Sequence, residues 1–136
     1  MVKKALQHRD PALVAEGAAV LEELNTLCPS LIYAALLTDD GFEIVHLAGS
    51  GQSDGRFATM ASSIQALSEA VARELSIGSG KYVIIAADDG YVIQLRVPGQ
   101  PIVLGALFGN EQTLGKALSI SRVSAEKMAS HLADAA

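Results

Sequence analysis

The chain has one cysteine, Cys28, and no tryptophan, and its aromatic residues are three phenylalanines and three tyrosines. A single cysteine rules out an intrachain disulfide. With few rings, the interior has to be built from Ala, Val, Leu and Ile. A basic stripe is also missing. Ten Lys and Arg stand against fifteen Asp and Glu, for a net charge of −5, and the charges are dispersed, which argues against a nucleic-acid partner. Lys3-Lys4 is the one basic pair, at a terminus. No stretch reaches the roughly 18 apolar residues of a membrane span, and no apolar N-terminal run reads as a secretory leader. His8, His46 and His131 are isolated from one another, so no metal-ligand spacing is present. These absences lead us to expect a cytoplasmic protein with no metal, no cofactor and no membrane span.

Half of the 136 residues are apolar. The length suits one domain over 1–136 with a real core, and the apolar surplus points to an oligomer or an obligate partner.

Periodicity and turn signals give eight elements. Asp10-Pro11 pairs a capping residue with the residue favoured at the first helical position. Leu13, Val14, Gly17, Val20, Leu21, Leu24 and Leu27 follow at helical spacing, and Pro29 ends the run. "LIYAALL" (31–37), "FEIVHL" (42–47), "KYVIIAA" (81–87), "YVIQLRV" (91–97) and "IVLGALF" (102–108) read as strands. A long helix is expected over 56–75. A last helix follows Gly109-Asn110, which is expected to cap it, with Leu114, Leu118, Ser121, Ala125, Met128 and Leu132 on one stripe. The order is α-β-β-α-β-β-β-α, and hairpin-length connections make the sheet mainly antiparallel. "KYVIIAA" and "IVLGALF" are apolar on both faces, so both sides of the sheet are covered. The long helix is expected on one side and the terminal helices on the other.

Two segments nearly repeat: "TDDGFEIVHL" from Thr38 and "ADDGYVIQLR" from Ala87. Four carboxylates in two pairs invite a metal or acid/base reading. A calcium loop needs more oxygen ligands in sequence than these pairs supply. Asp-Gly between two strand-like runs is instead a hairpin signal, here read as two-residue turns with positive φ at both central residues. "GSGQSDG" (49–55) follows a strand and opens a helix, as phosphate loops do, but its glycines miss the dinucleotide spacing and no Gly-Lys-Ser/Thr closes it. It reads as a connecting loop, with Asp54 capping the helix. Cys28 has no spaced base to activate it and reads as a small packing residue; His46 reads as a half-exposed sheet residue.

On the long helix, Phe57, Met60, Ala61, Ile64, Leu67, Val71 and Leu75 form an apolar face expected to cover the sheet. The opposite face carries Ala58, Thr59, Ser62, Ser63, Ala66, Glu69, Ala70 and Arg73, and beyond Arg56 its first three turns are uncharged. Small residues let another helix approach closely. Ala58, Ser62, Ala66, Glu69, Ala70 and Arg73 are therefore the expected dimer or partner surface, with Glu69 facing Arg73 across an antiparallel pair of helices.

This order of elements resembles the roadblock (dynein light-chain) family, closest to its bacterial, MglB-like branch. The resemblance rests on "AALLTDDGFEIVH" (34–46), "FATMASSIQALSEAV" (57–71), "YVIIAADDGYVIQLRV" (82–97) and "IVLGALFGNEQTLGKAL" (102–118), and covers roughly 12–132. Its specificity lies in the order and spacing of all four stretches. It implies an α+β, roadblock/profilin-like fold: a five-stranded antiparallel sheet with one helix on one face and two on the other. It further implies a homodimer in which the long helices pair and edge strands join into a ten-stranded sheet. The implied role is binding rather than catalysis: regulating or scaffolding a small Ras-like GTPase, or serving as an adaptor subunit of a signalling or motor complex. A reading from another class is a ligand sensor or small hydrolase using 49–55.

Overall fold

The computed structural model describes residues 9–48 and 56–135. The first helix, α1 (Pro11–Leu27), starts where Asp10 Oδ1 accepts the Ala12 amide at 3.1 Å. Leu13, Gly17, Val20, Leu21 and Leu24 are its buried residues, one stripe of a 3.6-residue repeat. A side chain at Gly17 would press on Val45 and Leu36 at 2.8 and 2.9 Å, so this glycine sets how closely α1 lies on the sheet.

The remaining elements are β1 (Leu31–Thr38), β2 (Glu43–Ala48), α2 (Arg56–Glu74), β3 (Val83–Ala87), β4 (Gly90–Arg96), β5 (Ile102–Gly109) and α3 (Leu114–Ala135). The sheet runs β2-β1-β5-β4-β3, with every neighbouring pair antiparallel. The expected order and class hold. Because β2 and β3 are the two edges, the connection through α2 carries the chain across the whole sheet.

Alternation along the strands separates two cores. Leu36, Ile93, Leu104, Ala106 and Phe108 point to the side covered by α1 and α3, where Leu21, Leu24 and Met128 meet them. Burying each of the larger of these side chains, the Leu, Ile, Phe and Met, contributes about 1.5–3 kcal/mol. Tyr33, Ala35 and Leu37 point to the other side, where they pack with Ala58 and Ala61 and, at the margin, Phe57 and Leu107. Gly105 makes room for Phe57, whose ring would sit 2.7 Å from any Cβ there. Cys28 is fully buried, its Sγ 3.5 Å from Ser30 Oγ, in the packing role expected of it.

Both Asp-Asp-Gly segments are hairpin turns, but neither has the expected geometry. At 38–42 the loop has three residues: the Gly41 amide donates to Thr38 O at 3.0 Å, the Thr38 amide donates to Phe42 O at 2.8 Å, and Gly41 alone takes positive φ, +90°. This is a turn followed by a left-handed glycine, the usual three-residue solution. At 87–90, Ala87 pairs with Gly90, so Asp88-Asp89 is the loop, and neither aspartate has positive φ. Asn110 Nδ2 donates to Asp88 O at 3.0 Å and steadies it. Gly90 is a strand residue, needed because a Cβ would lie 2.5 Å from the Phe108 carbonyl oxygen. Nor do Gly109-Asn110 cap α3. Thr113 does, with Oγ1 accepting the Lys116 amide at 3.2 Å, while Gly109 belongs to β5. The loop reading at 49–55 and the Asp54 cap lie outside the described residues.

Candidate protein-interaction surface

The long helix is rotated from the seat expected: Ala61 and Phe57, of the expected sheet-covering face, do pack against the sheet, and Ala58, of the expected back face, joins them. Its buried residues are Ala58, Ala61 and Ala72, whereas Met60 is 54% exposed, Leu67 66%, and Val71 and Leu75 are exposed as well. The sheet surface beneath already carries Tyr33 and Leu37, and Phe57, from the first turn of α2 itself, packs edge-to-face with Tyr33 at 5.1 Å. Small residues are what allow α2 to approach that layer. Of the six expected partner-surface residues, Ala58 is therefore withdrawn into the chain's own core at 6% exposure. Ser62 is half-buried, with Oγ donating to Asp39 O at 3.4 Å. Ala70 is half-buried, and Ala66, Glu69 and Arg73 are exposed.

Glu69 is already engaged inside the chain. Gln94, on β4, is 1% exposed; its Nε2 donates to Ala61 O at 2.8 Å and to Gln65 Oε1 at 3.1 Å. Gln65 Nε2 donates to Glu69 Oε1 at 3.1 Å, and the same oxygen accepts Arg96 Nη2 at 2.6 Å. Arg96 Nη1 grips both Asp39 oxygens at 2.7 and 2.9 Å. Hydrogen bonds from Gln65 and Arg96 hold the Glu69 carboxyl below the usual glutamate range. Burial works against charge on Arg96, but the bonds to Asp39 and Glu69 outweigh it and raise its pKa. Asp39, read from sequence as a turn residue, is thus also an anchor.

Beside the exposed stripe of α2 lies an apolar groove of about 420 Å³. Ile64, Leu67 and Val71 form one wall, and Ile77, Tyr82 and Val83 the other. The groove opens toward β3, an edge strand of sequence VIIAA that, among the described residues, pairs only with β4 and has no bulge in its register. Ile85 is 44% exposed on it. The opposite edge is different. The register of β2 shifts at Leu36/Leu37, a bulge that puts Glu43 and His46 on one side, with Glu43 Oε2 2.7 Å from His46 Nδ1. Bulges and charged side chains are how edge strands avoid pairing; β2 has both and β3 has neither. The sequence reading missed Met60, Leu67, Val71, Ile77, Tyr82 and Ile85 as surface. A signal was present: Gln94 and Arg96 alternate in the otherwise apolar β4, marking a polar seat on the side that α2 covers.

The other candidate chemistry does not assemble. Among the described residues no group of three or more His, Cys, Asp or Glu is placed to hold a metal. His46 stacks on Tyr33 at 5.9 Å, and His131 pairs with Glu16 across α1 and α3. Within the same described residues, no helix is long and apolar enough to cross a membrane.

No family model and no curated protein matches the sequence. Solved structures do match. The gliding protein MglB of Thermus thermophilus superposes with a TM-score of 0.81 at 21% identity, covering 99% of this chain and 100% of that one. A structure solved as MglB with a tetrameric arrangement gives 0.82 at 22% identity, with 99% and 100% covered. A Roadblock/LC7 domain from Streptomyces avermitilis gives 0.76 at 18%, with 85% and 96% covered. The fold is that of the MglB and Roadblock/LC7 structures.

Proposed function

We propose that this chain is a non-enzymatic regulator or scaffold of a small Ras-like GTPase and that it works as a homodimer built on α2 and β3. The observation that carries the dimer is the contrast between the two sheet edges. The unprotected edge, β3, is the one that adjoins the exposed apolar stripe of α2 and the groove. Pairing two β3 edges about a two-fold axis satisfies both rows of backbone groups and brings the two α2 stripes together, each contact occurring twice. The likeness to MglB, one structure of which is itself an assembly, supports both self-association and a place in a GTPase system. Ala66 and Arg73, exposed and outside the groove lining, and the half-buried Ala70 between them are the α2 residues offered to the GTPase.

An effect on hydrolysis requires either that the partner's switch loops be held in line or that an arginine be supplied in trans. Arg96 is committed to Asp39 and Glu69, and Arg56, Arg73 and Arg122 lie within helices. Ordering of the switches is therefore the mechanism this surface favours, and the same observation sustains the adaptor reading, in which the dimer binds without changing hydrolysis. Sedimentation at micromolar concentration is expected to give twice the chain mass. Single-turnover GTP hydrolysis by the GTPase, with and without this protein, separates regulator from adaptor. A monomer that leaves both turnover and GTPase binding unchanged would defeat the proposal.

A further inference from the structure

The seat of α2 is unusual for a helix that covers a sheet. Its buried side chains are three alanines; of its large apolar residues Phe57 packs at the margin of the core, whereas Met60, Leu67 and Val71 are exposed. Shallow apolar packing of this kind resists sliding and rotation only weakly. What marks one position along the sheet is the polar chain from β4. Gln94 and Arg96 are two residues apart on a strand and project on one side, about 7 Å apart. Gln65 and Glu69 are four apart on a helix, about 6 Å along its axis. The two spacings match, so both rungs close together: Gln94 to Gln65, and Arg96 to Glu69.

The rungs are unequal. Gln94 is buried, and its Oε1 has no hydrogen-bond partner among the described residues, so this rung holds α2 without using that acceptor. The Arg96 rung is charge-assisted on both sides and reaches a third element, gripping Asp39 in the 38–42 turn. That turn touches α2 again through Ser62, whose Oγ donates to Asp39 O. A one-turn slip in the direction that moves Glu69 past Arg96 would bring Arg73, four residues on, to the guanidinium, and like charges would meet.

We propose that Arg96 is the positioning residue that locks α2 in register on the sheet, and that this lock forms the α2–β3 groove through which the chain self-associates. The second half rests on the dimer reading above; the first does not. Gln65 links them directly, because it belongs to the polar chain and also lines the groove.

The test uses the full chain carrying Arg96→Met, which keeps much of the aliphatic bulk and removes the charge. Amide hydrogen exchange over α2 is expected to accelerate about tenfold while α1, α3 and β5 exchange as before. The dimer dissociation constant is expected to rise about five- to tenfold, the size of a partly exposed charge-assisted pair. Arg96→Lys should recover only part of both effects, since one ammonium cannot span Asp39 and Glu69 as a planar fork does. Glu69→Gln should have little further effect in the Arg96→Met background. If Arg96→Met unfolds the chain, Glu69→Gln and Asp39→Asn, each leaving Arg96 in place, carry the same measurements. Unchanged exchange over α2 overturns the lock. Faster exchange with an unchanged dissociation constant overturns its link to association. If Val71→Glu leaves the sedimentation mass unaltered, the dimer surface itself is wrong, and the exchange result still decides the lock.

Discussion

Leu67 separates what stabilises the chain from what stabilises the assembly. It sits mid-helix on α2 with 66% of its surface exposed and forms part of the groove wall. Fully burying a leucine contributes about 1.5–3 kcal/mol, so burying the exposed two-thirds in a dimer contributes about 1–2 kcal/mol per copy. A two-fold interface contains the residue twice, giving about 2–4 kcal/mol per dimer. Truncation to alanine keeps the β-carbon, so Leu67→Ala should cost about 2–3 kcal/mol and raise the dissociation constant roughly 30- to 150-fold. The monomer should be indifferent, because alanine is at least as good a helix former as leucine. Sedimentation equilibrium over a dilution series gives the first quantity. Urea unfolding, at concentrations where both proteins are monomeric, gives the second. A dissociation constant within twofold of the parent would remove Leu67 from the interface. A monomer destabilised by about 2 kcal/mol, the scale of a lost core leucine, would mean that Leu67 faces the core after all, as the helical wheel suggests.

Three further outcomes follow from the geometry. Ser76 closes α2 in the left-handed region at φ +55°, with its amide bonded to Arg73 O and the Ile77 amide bonded to Ala72 O; Ser76→Gly should stabilise the monomer by about 0.5–1 kcal/mol in urea titrations. Gly90→Ala should destabilise it by roughly 1–3 kcal/mol through the clash with the Phe108 carbonyl, although an alanine meets no φ penalty there. Glu69 titrates below the ordinary glutamate value because Gln65 and Arg96 hydrogen-bond its ionised form. Its contribution is therefore complete above about pH 4.3 and is lost as pH falls through the lowered folded value. Carboxyl-carbon NMR shifts should show that midpoint, and Arg96→Met should move it upward.

The parts of the fold that are legible in the sequence are those set by local rules. Helix starts, strand runs and turn residues act over a few positions, and all eight elements appear where those rules put them, most of them to within a residue or two. Glycine at position 90 is special, but not for the reason its neighbours suggest. A turn demanding positive φ and a strand lying against a neighbour's carbonyl both exclude a side chain, and one sequence does not say which applies. The bulge in β2 is hidden for a related reason, since it exists only in the register against β1.

The rotated seat of α2 has a different cause. Reading an amphipathic helix assumes that its largest apolar residues face its own core, which holds when the chain buries everything it can by itself. Here two faces compete, one of Met60, Ile64, Leu67 and Val71, the other of Ala58, Ala61 and Ala72. The sheet beneath selects the second because Tyr33, Gln94 and Arg96, with Phe57 of the first turn of α2 already packed against Gly105, leave room only for small side chains and a polar chain. A partner surface on this helix and the assignment of its large face to the core are therefore expectations in tension with each other. A chain of this length with that apolar surplus has more large residues than one sheet can cover, and the excess has to lie where another surface can reach it. On that logic the small face explains how α2 meets its own sheet. The large face, together with the unguarded β3 edge, is where a second copy has the most to bury.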